Sequence, residues 1–160
     1  MTQYEQLLSV IPSTNGAEKA SLGSILGAFI GDSVGSYLEF VFGTFSKAQM
    51  QKCMSMPGGG CHKVAPGQVT DDGELTMSLL HGLVAGNGKL NLHQTCRYYG
   101  EWTSSSPFDV GGTTRNGLYK CSAANPDPSR AQRAALKGPG KTSMSNGAMM
   151  RLSPIAVWCQ

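Results

Sequence analysis

Thr70, Asp71 and Asp72 place a hydroxyl and two carboxylates in consecutive positions. Adjacent carboxylates repel unless something compensates, and hard divalent cations such as Mg²⁺ or Mn²⁺ prefer oxygen donors of this kind. In the first turn of a helix the two aspartates point about 100° apart, so they can serve adjacent metals or different edges of one site. A second account needs no metal: Asp71 as N-cap with Glu74 at N3 makes a capping box, and Asp72 suits the positive end of the helix dipole. The segment alone fits both. Asp32 and Glu39 follow one apolar helical pattern and stand two turns apart, on neighbouring faces. An acid within such a pattern is exposed, paired or bound to something. A glutamate at a helix C-terminus opposes the dipole, which favours a specific role for Glu39.

The elements that must position these residues read as helices. A short helix is expected over 3–11, ended by the turn at 12–16, and a longer one over Glu18–Phe40 with Leu22, Ile25, Leu26, Phe29 and Ile30 on its apolar face. Gly23, Gly27, Gly31 and Gly35 recur every fourth residue on this helix. Each costs about 0.5–1 kcal/mol relative to alanine, so close approach of another helix or a ligand is the expected compensation. Residues 56–68 read as a Gly/Pro-rich surface loop, in which Cys61-His62 read as ordinary loop residues because no convergent metal ligands are visible. A helix over 69–84 follows, with Leu75, Leu79, Leu80, Leu83 and Val84 expected to face inward. Helices are further expected over Leu92–Ser104, near Arg115–Ser122, from a Ser129 cap to Lys137, and from a Ser153 cap with Pro154 at N1. No segment alternates as a strand would, so the fold class is all-α.

Composition narrows the function. Of 160 residues, 21 are glycine and only 14% are charged, without a G-X-Y period; collagen, coiled coil and disordered polyelectrolyte are excluded. No apolar run approaches the roughly 18 residues that cross a bilayer. Five scattered cysteines and an N-terminus without a basic leader point to a reducing, cytoplasmic setting. Residues 1–119 carry seven basic and nine acidic groups, while residues 120–160 carry six basic groups and one acid. That asymmetry suits a cation together with an anionic small molecule better than nucleic acid, which requires a dense basic stripe. Gly-Lys-Thr at 140–142 is not a P-loop, because Ala135 stands where the first glycine belongs.

GSILGAFIGDSVGSYLEF (23–40), VTDDGELTMSLL (69–80), DVGGTTRNG (109–117) and SNGAMMRLSP (145–154) together resemble the ordered signatures of the ADP-ribosylglycohydrolase family. The resemblance implies a compact orthogonal multi-helix domain with two Mg²⁺ or Mn²⁺ ions that grip the ribose diol of ADP-ribose. It implies hydrolysis of the N- or O-glycosidic bond between ADP-ribose and a protein side chain or small leaving group. By similarity Thr70, Asp71 and Asp72 are metal ligands; Glu39, Asp72 and Asp109 are catalytic; and Glu39, Asp109, Gly111, Asn146, Gly147 and Met149 contact the substrate. The implied partners are ADP-ribose or an ADP-ribosylated protein, with neither nucleic acid nor membrane. The Asp-x-Asp-Thr/Ser motif that completes the metal site in full-length members does not occur in the chain. Residues 1–160 therefore resemble the N-terminal part of the domain, cut within its last helix, and impaired hydrolysis is expected. The alternative is a non-catalytic helical module that binds ADP-ribose or another protein.

Overall fold

The computed structural model describes residues 16–137 and 143–160. Among them the chain forms helices α1 (Gly16–Gly35), α2 (Lys47–Cys53), α3 (Asp71–Ala85), α4 (Leu92–Ser104), α5 (Gly112–Leu118), α6 (Pro128–Lys137) and α7 (Ser153–Trp158), with a 3₁₀ turn at Asn146–Ala148. No strand is present among these residues, only an isolated antiparallel bridge between Gly59 and Val64, so the fold is all-α. The expected helix over 3–11, and residues 138–142 of the second glycine-rich loop, lie outside the described residues.

Helix α3 is the axis of the fold and packs against α1, α4 and α7. Leu75, Leu79 and Leu83 recur at four-residue steps and are buried, each contributing about 1.5–3 kcal/mol by leaving water. Leu75 meets Trp102 of α4 and Leu118 of α5, with Tyr99, Val110, Cys121 and Met150 closing around them. Val84 was expected inside but is exposed, because it lies about 100° around the helix from the buried Leu83. Gly82 lets α4 come close: a Cβ there would lie 2.9 Å from Thr95 Cα.

Helix α1 departs from expectation in two ways. It stops at Gly35 rather than Phe40, where the Ser36 hydroxyl donates to the Ser33 carbonyl at 3.0 Å and competes with the helical ladder. The following turn carries Phe40 at a left-handed φ of 58°, so Glu39 sits on a turn, not on a helix. The glycine stripe is also open rather than closely packed. A Cβ at Gly23, Gly27, Gly31 or Gly35 would meet nothing within 4 Å among the described residues, and Leu26 and Ile30 are exposed.

Two caps differ as well. Asp127, not Ser129, caps α6 by accepting from Arg130 N at 2.9 Å, with Pro128 at the first helical position. Ser153 lies inside the first turn of α7, where Leu152 is the capping position. The expected helix near Arg115–Ser122 instead runs Gly112–Leu118, with Gly111 as its N-cap.

Candidate metal centre

The site is built around the N-terminus of α3, whose first backbone N–H groups have no partner within the helix. Thr70 occupies the N-cap but its side chain does not cap. Asp32 of α1 does so from 38 residues upstream: its Oδ2 accepts from Thr70 N at 2.9 Å and from Gly73 N at 2.7 Å, and its Oδ1 accepts from the Thr70 hydroxyl at 2.8 Å. A Cβ at residue 73 would stand 2.8 Å from Asp32 Oδ2 and 2.7 Å from Val69 Cβ, so glycine is what admits this carboxylate. Glu74 faces the other way and accepts from Trp102 Nε1 at 2.7 Å. The capping box of Asp71 with Glu74 therefore does not form. Its absence leaves the Asp71 side chain free to turn toward α5, where the Gly111 N–H meets it.

Those two carboxylates share a hydrogen bond, and the Gly111 N–H at the start of α5 donates to Asp71. Burial raises Asp71, reinforced by the charges of Asp109, Asp72 and Glu39 and opposed by the Gly111 N–H, up to about 7. Asp72 is raised by burial and by Asp32 and Asp109, against its bond to Asp71. Glu39 is raised by burial and by Asp109, Asp72 and Asp32, with His62 opposing. Acids from four separate segments thus feel one another across a poorly solvated space with little positive charge to balance them. An all-oxygen donor set of this kind fits a hard divalent cation. Gly31, Asp32, Gly35, Glu39, Thr70 and Asp72 also line a cleft of about 360 Å³, within the range of small-molecule sites.

His62 completes the cluster. Its Nε2 lies 3.4 Å from Glu39 Oε2 and 3.4 Å from Asp109 Oδ2, with its ring between those of Phe40 and Phe108. Among the described residues, the side chains whose ligand atoms gather within 4.8 Å of one another are Glu39, Cys61 and His62. Cys61 and His62 had read as plain loop residues. The loop that carries them is ordered, with Gly59 N donating to the Val64 carbonyl at 2.7 Å and Val64 N returning the bond at 3.0 Å. The glycine run of residues 58–60 takes left-handed φ values of 71°, 84° and 68°, and any Cβ at Gly60 would run into the Ser36 carbonyl. That run was the available signal, since it lets the loop approach the turn bearing Glu39.

The remaining sequence candidates fall into two groups. Glu39, Asp71, Asp72, Asp109 and Gly111 are brought together, with Thr70 tied beside them to Asp32. Asn146, Gly147 and Met149 instead sit around the 3₁₀ turn, where Gly147 is buried and Asn146 and Met149 are exposed. That turn rests on the first turn of α5: Thr113 and Ser143 hydroxyls lie 3.4 Å apart, and Gly147 abuts Thr114. It thus rests on α5, the helix whose N-terminal Gly111 N–H reaches Asp71.

Residues 13–160 match the ADP-ribosylglycohydrolase family. Over 100 residues the chain is 36% identical to the ADP-ribosyl-[dinitrogen reductase] glycohydrolase of Rhodospirillum rubrum, covering 62% of this chain and 34% of that protein. Over 148 residues it is 31% identical to an ADP-ribosylarginine hydrolase of Serratia proteamaculans, covering 84% of this chain and 38% of that protein. A Pseudomonas putida ADP-ribosylarginine hydrolase is 30% identical over 149 residues, with 85% of this chain and 35% of that protein covered. The chain thus spans less than half the length of these relatives. No helix among the described residues is long and apolar enough to cross a membrane. The four ordered motifs and the match over nearly the whole chain place it in one group: the protein belongs to the ADP-ribosylglycohydrolase family.

Proposed function

We propose that the chain contributes the binding half of a divalent-metal-dependent ADP-ribosyl hydrolase site, acting on the glycosidic bond between ADP-ribose and a protein side chain or small leaving group. The observation that carries this reading is the convergence of Asp71, Asp72, Asp109 and Glu39 on one half-buried space, each of the first two and Glu39 raised by burial and mutual charge. Names of relatives that act on ADP-ribosylarginine and on ADP-ribosyl-dinitrogen reductase support the substrate class.

In this reading Thr70, Asp71 and Asp72 hold Mg²⁺ or Mn²⁺, which when bound would orient the ribose hydroxyls and acidify a water. Asp32 keeps the three donors in register through the backbone of Thr70 and Gly73. Glu39 takes the proton of the attacking water, and its proton affinity, raised by burial and by Asp109, suits a general base. Asp109 orients the substrate against α5, with Gly111 holding Asp71 by its N–H. Asn146, Gly147 and Met149 border the ADP-ribose, and the basic residues after position 119 favour its pyrophosphate. A second reading, ADP-ribose binding without turnover, is favoured by donor count: Thr70, Asp71 and Asp72 supply three oxygens, whereas two octahedral ions need many more.

Isothermal titration with Mn²⁺, then with ADP-ribose, tests the proposal. One weak Mn²⁺ per chain is expected, with ADP-ribose binding only when Mn²⁺ is present and both signals lost in Asp71→Asn/Asp72→Asn. Equal Mn²⁺ binding by that variant would overturn the assignment. Release of ADP-ribose from an ADP-ribosylarginine peptide separates the hydrolase from the binding module.

A further inference from the structure

We infer that Glu39, Cys61 and His62 form a second, chemically distinct metal site selective for a borderline-soft cation such as Zn²⁺, with Asp109 as its fourth ligand. A thiol, an imidazole and two carboxylates are the donors that such ions favour, whereas Mg²⁺ and Mn²⁺ prefer an all-oxygen set. The two separations measured from His62 match a tetrahedral edge. Zinc ligands about 2.0–2.3 Å from the ion stand roughly 3.3–3.6 Å from one another at tetrahedral angles. His62 Nε2 lies 3.4 Å from Glu39 Oε2 and 3.4 Å from Asp109 Oδ2. Those separations exceed an ordinary charge-assisted hydrogen bond.

An independent observation points to a ligand there. His62 Nε2 is buried and makes no hydrogen bond, although two carboxylates face it. A buried ring nitrogen left without a partner is costly, and a cation shared with those carboxylates removes the cost. Cys61 completes the set on a flexible side chain. It is exposed, and one ligand atom each from Cys61, Glu39 and His62 lies within 4.8 Å of the others. Movement of about 1 Å closes that gap to a tetrahedral edge. On binding, the Cys61 thiol loses its proton to solvent and His62 coordinates as the neutral imidazole. Phe40 and Phe108 flank the imidazole ring, an apolar surround that strengthens metal–ligand electrostatics.

This inference does not rest on the hydrolase reading, but it bears on it. An ion on Glu39 and Asp109 withdraws both carboxylates from the neighbouring oxygen site, so Zn²⁺ would act there as an inhibitor.

The test uses Co²⁺ as a spectroscopic stand-in and competition of Zn²⁺ against a chromophoric chelator, on the 160-residue chain. One Co²⁺ per chain with tetrahedral d–d bands and a thiolate-to-cobalt charge-transfer band is expected. Cys61→Ser removes the charge-transfer band, and both Cys61→Ser and His62→Gln weaken Zn²⁺ by at least about tenfold, the range already expected for losing an outer-shell contact. Asp71→Asn/Asp72→Asn keeps the band, which separates this site from the oxygen site. Far-ultraviolet circular dichroism shows that each variant is folded. A band that survives Cys61→Ser, or Zn²⁺ affinity unchanged in both single variants, overturns the inference.

Discussion

Helices α1 and α3 both carry glycines at helical spacing, yet they use them in opposite ways. Among the described residues, the four glycines on α1 have no neighbour within reach of an added Cβ, and the helix buries only Ser33. On α3, Gly73 admits the Asp32 carboxylate and Gly82 admits the backbone of α4 at Thr95. Periodic small residues therefore say that a close approach is permitted, while only the partner decides whether it happens. The open stripe has its own use at one end, where Gly31 and Gly35 keep clear the cleft beside Glu39, Thr70 and Asp72.

The contrast is sharpest at Asp32, the point where α1 does engage α3. Asp32→Ala leaves two backbone N–H groups and the Thr70 hydroxyl without their charged acceptor. A loss of about 3 kcal/mol or more is expected in denaturant unfolding, since hydrogen bonds to charged groups contribute roughly 1.5–3 kcal/mol each. Little loss would mean that the two helices are not joined there. Gly82→Ala is the next largest effect: the added methyl meets Thr95 at 2.9–3.2 Å, and overpacking of this kind costs about 1–3 kcal/mol.

A pH effect follows, smaller because cleft water and counterions screen the carboxylates. Asp71 is raised from the ordinary 3.8 to about 7, so the folded chain holds a proton that the unfolded chain has released between those values. Stability of the metal-free chain must then fall as pH rises from 3.8 to about 7, and level off above. Thermal unfolding across that range checks it, with Asp71→Asn expected to flatten the slope and Mn²⁺ to restore stability at the upper end. Smallest is Gly27→Ala on the open stripe, expected to add about 0.5–1 kcal/mol. A destabilised Gly27→Ala would show a partner on α1 and erase the contrast.

What could be read in advance follows from how local each signal is. The span of α4, Leu92–Ser104, and the buried Leu75, Leu79 and Leu83 came from periodicity, which is fixed within a few turns. The gathering of Glu39, Asp71, Asp72 and Asp109 was legible only through family motifs, because nothing in their spacing says that four segments meet. Three features were harder to read. The Asp32 cap acts across 38 residues and displaced a plausible capping box. The early end of α1 at Gly35 put Glu39 on a turn, although the apolar pattern runs on through Tyr37 and Leu38. Cys61 and His62 reach Glu39 only because the glycine run lets the loop touch the Ser36 carbonyl. Placement of Asn146 and Met149 on an outer turn likewise depends on how Gly147 seats against Thr114.

The bond from Trp102 Nε1 to Glu74 Oε2 ties a fluorophore to the same helical turn that bears the paired aspartates. Indole emission responds to local electric fields, and any change of charge at positions 71 and 72 is felt within that turn. The other tryptophan, Trp158, donates to the Gly88 carbonyl at 3.1 Å, far along the chain from this turn. With Trp158→Phe the chain would carry one tryptophan, held on the helical turn that bears the carboxylates, and its colour would respond to their ionisation and cation loading without any added dye.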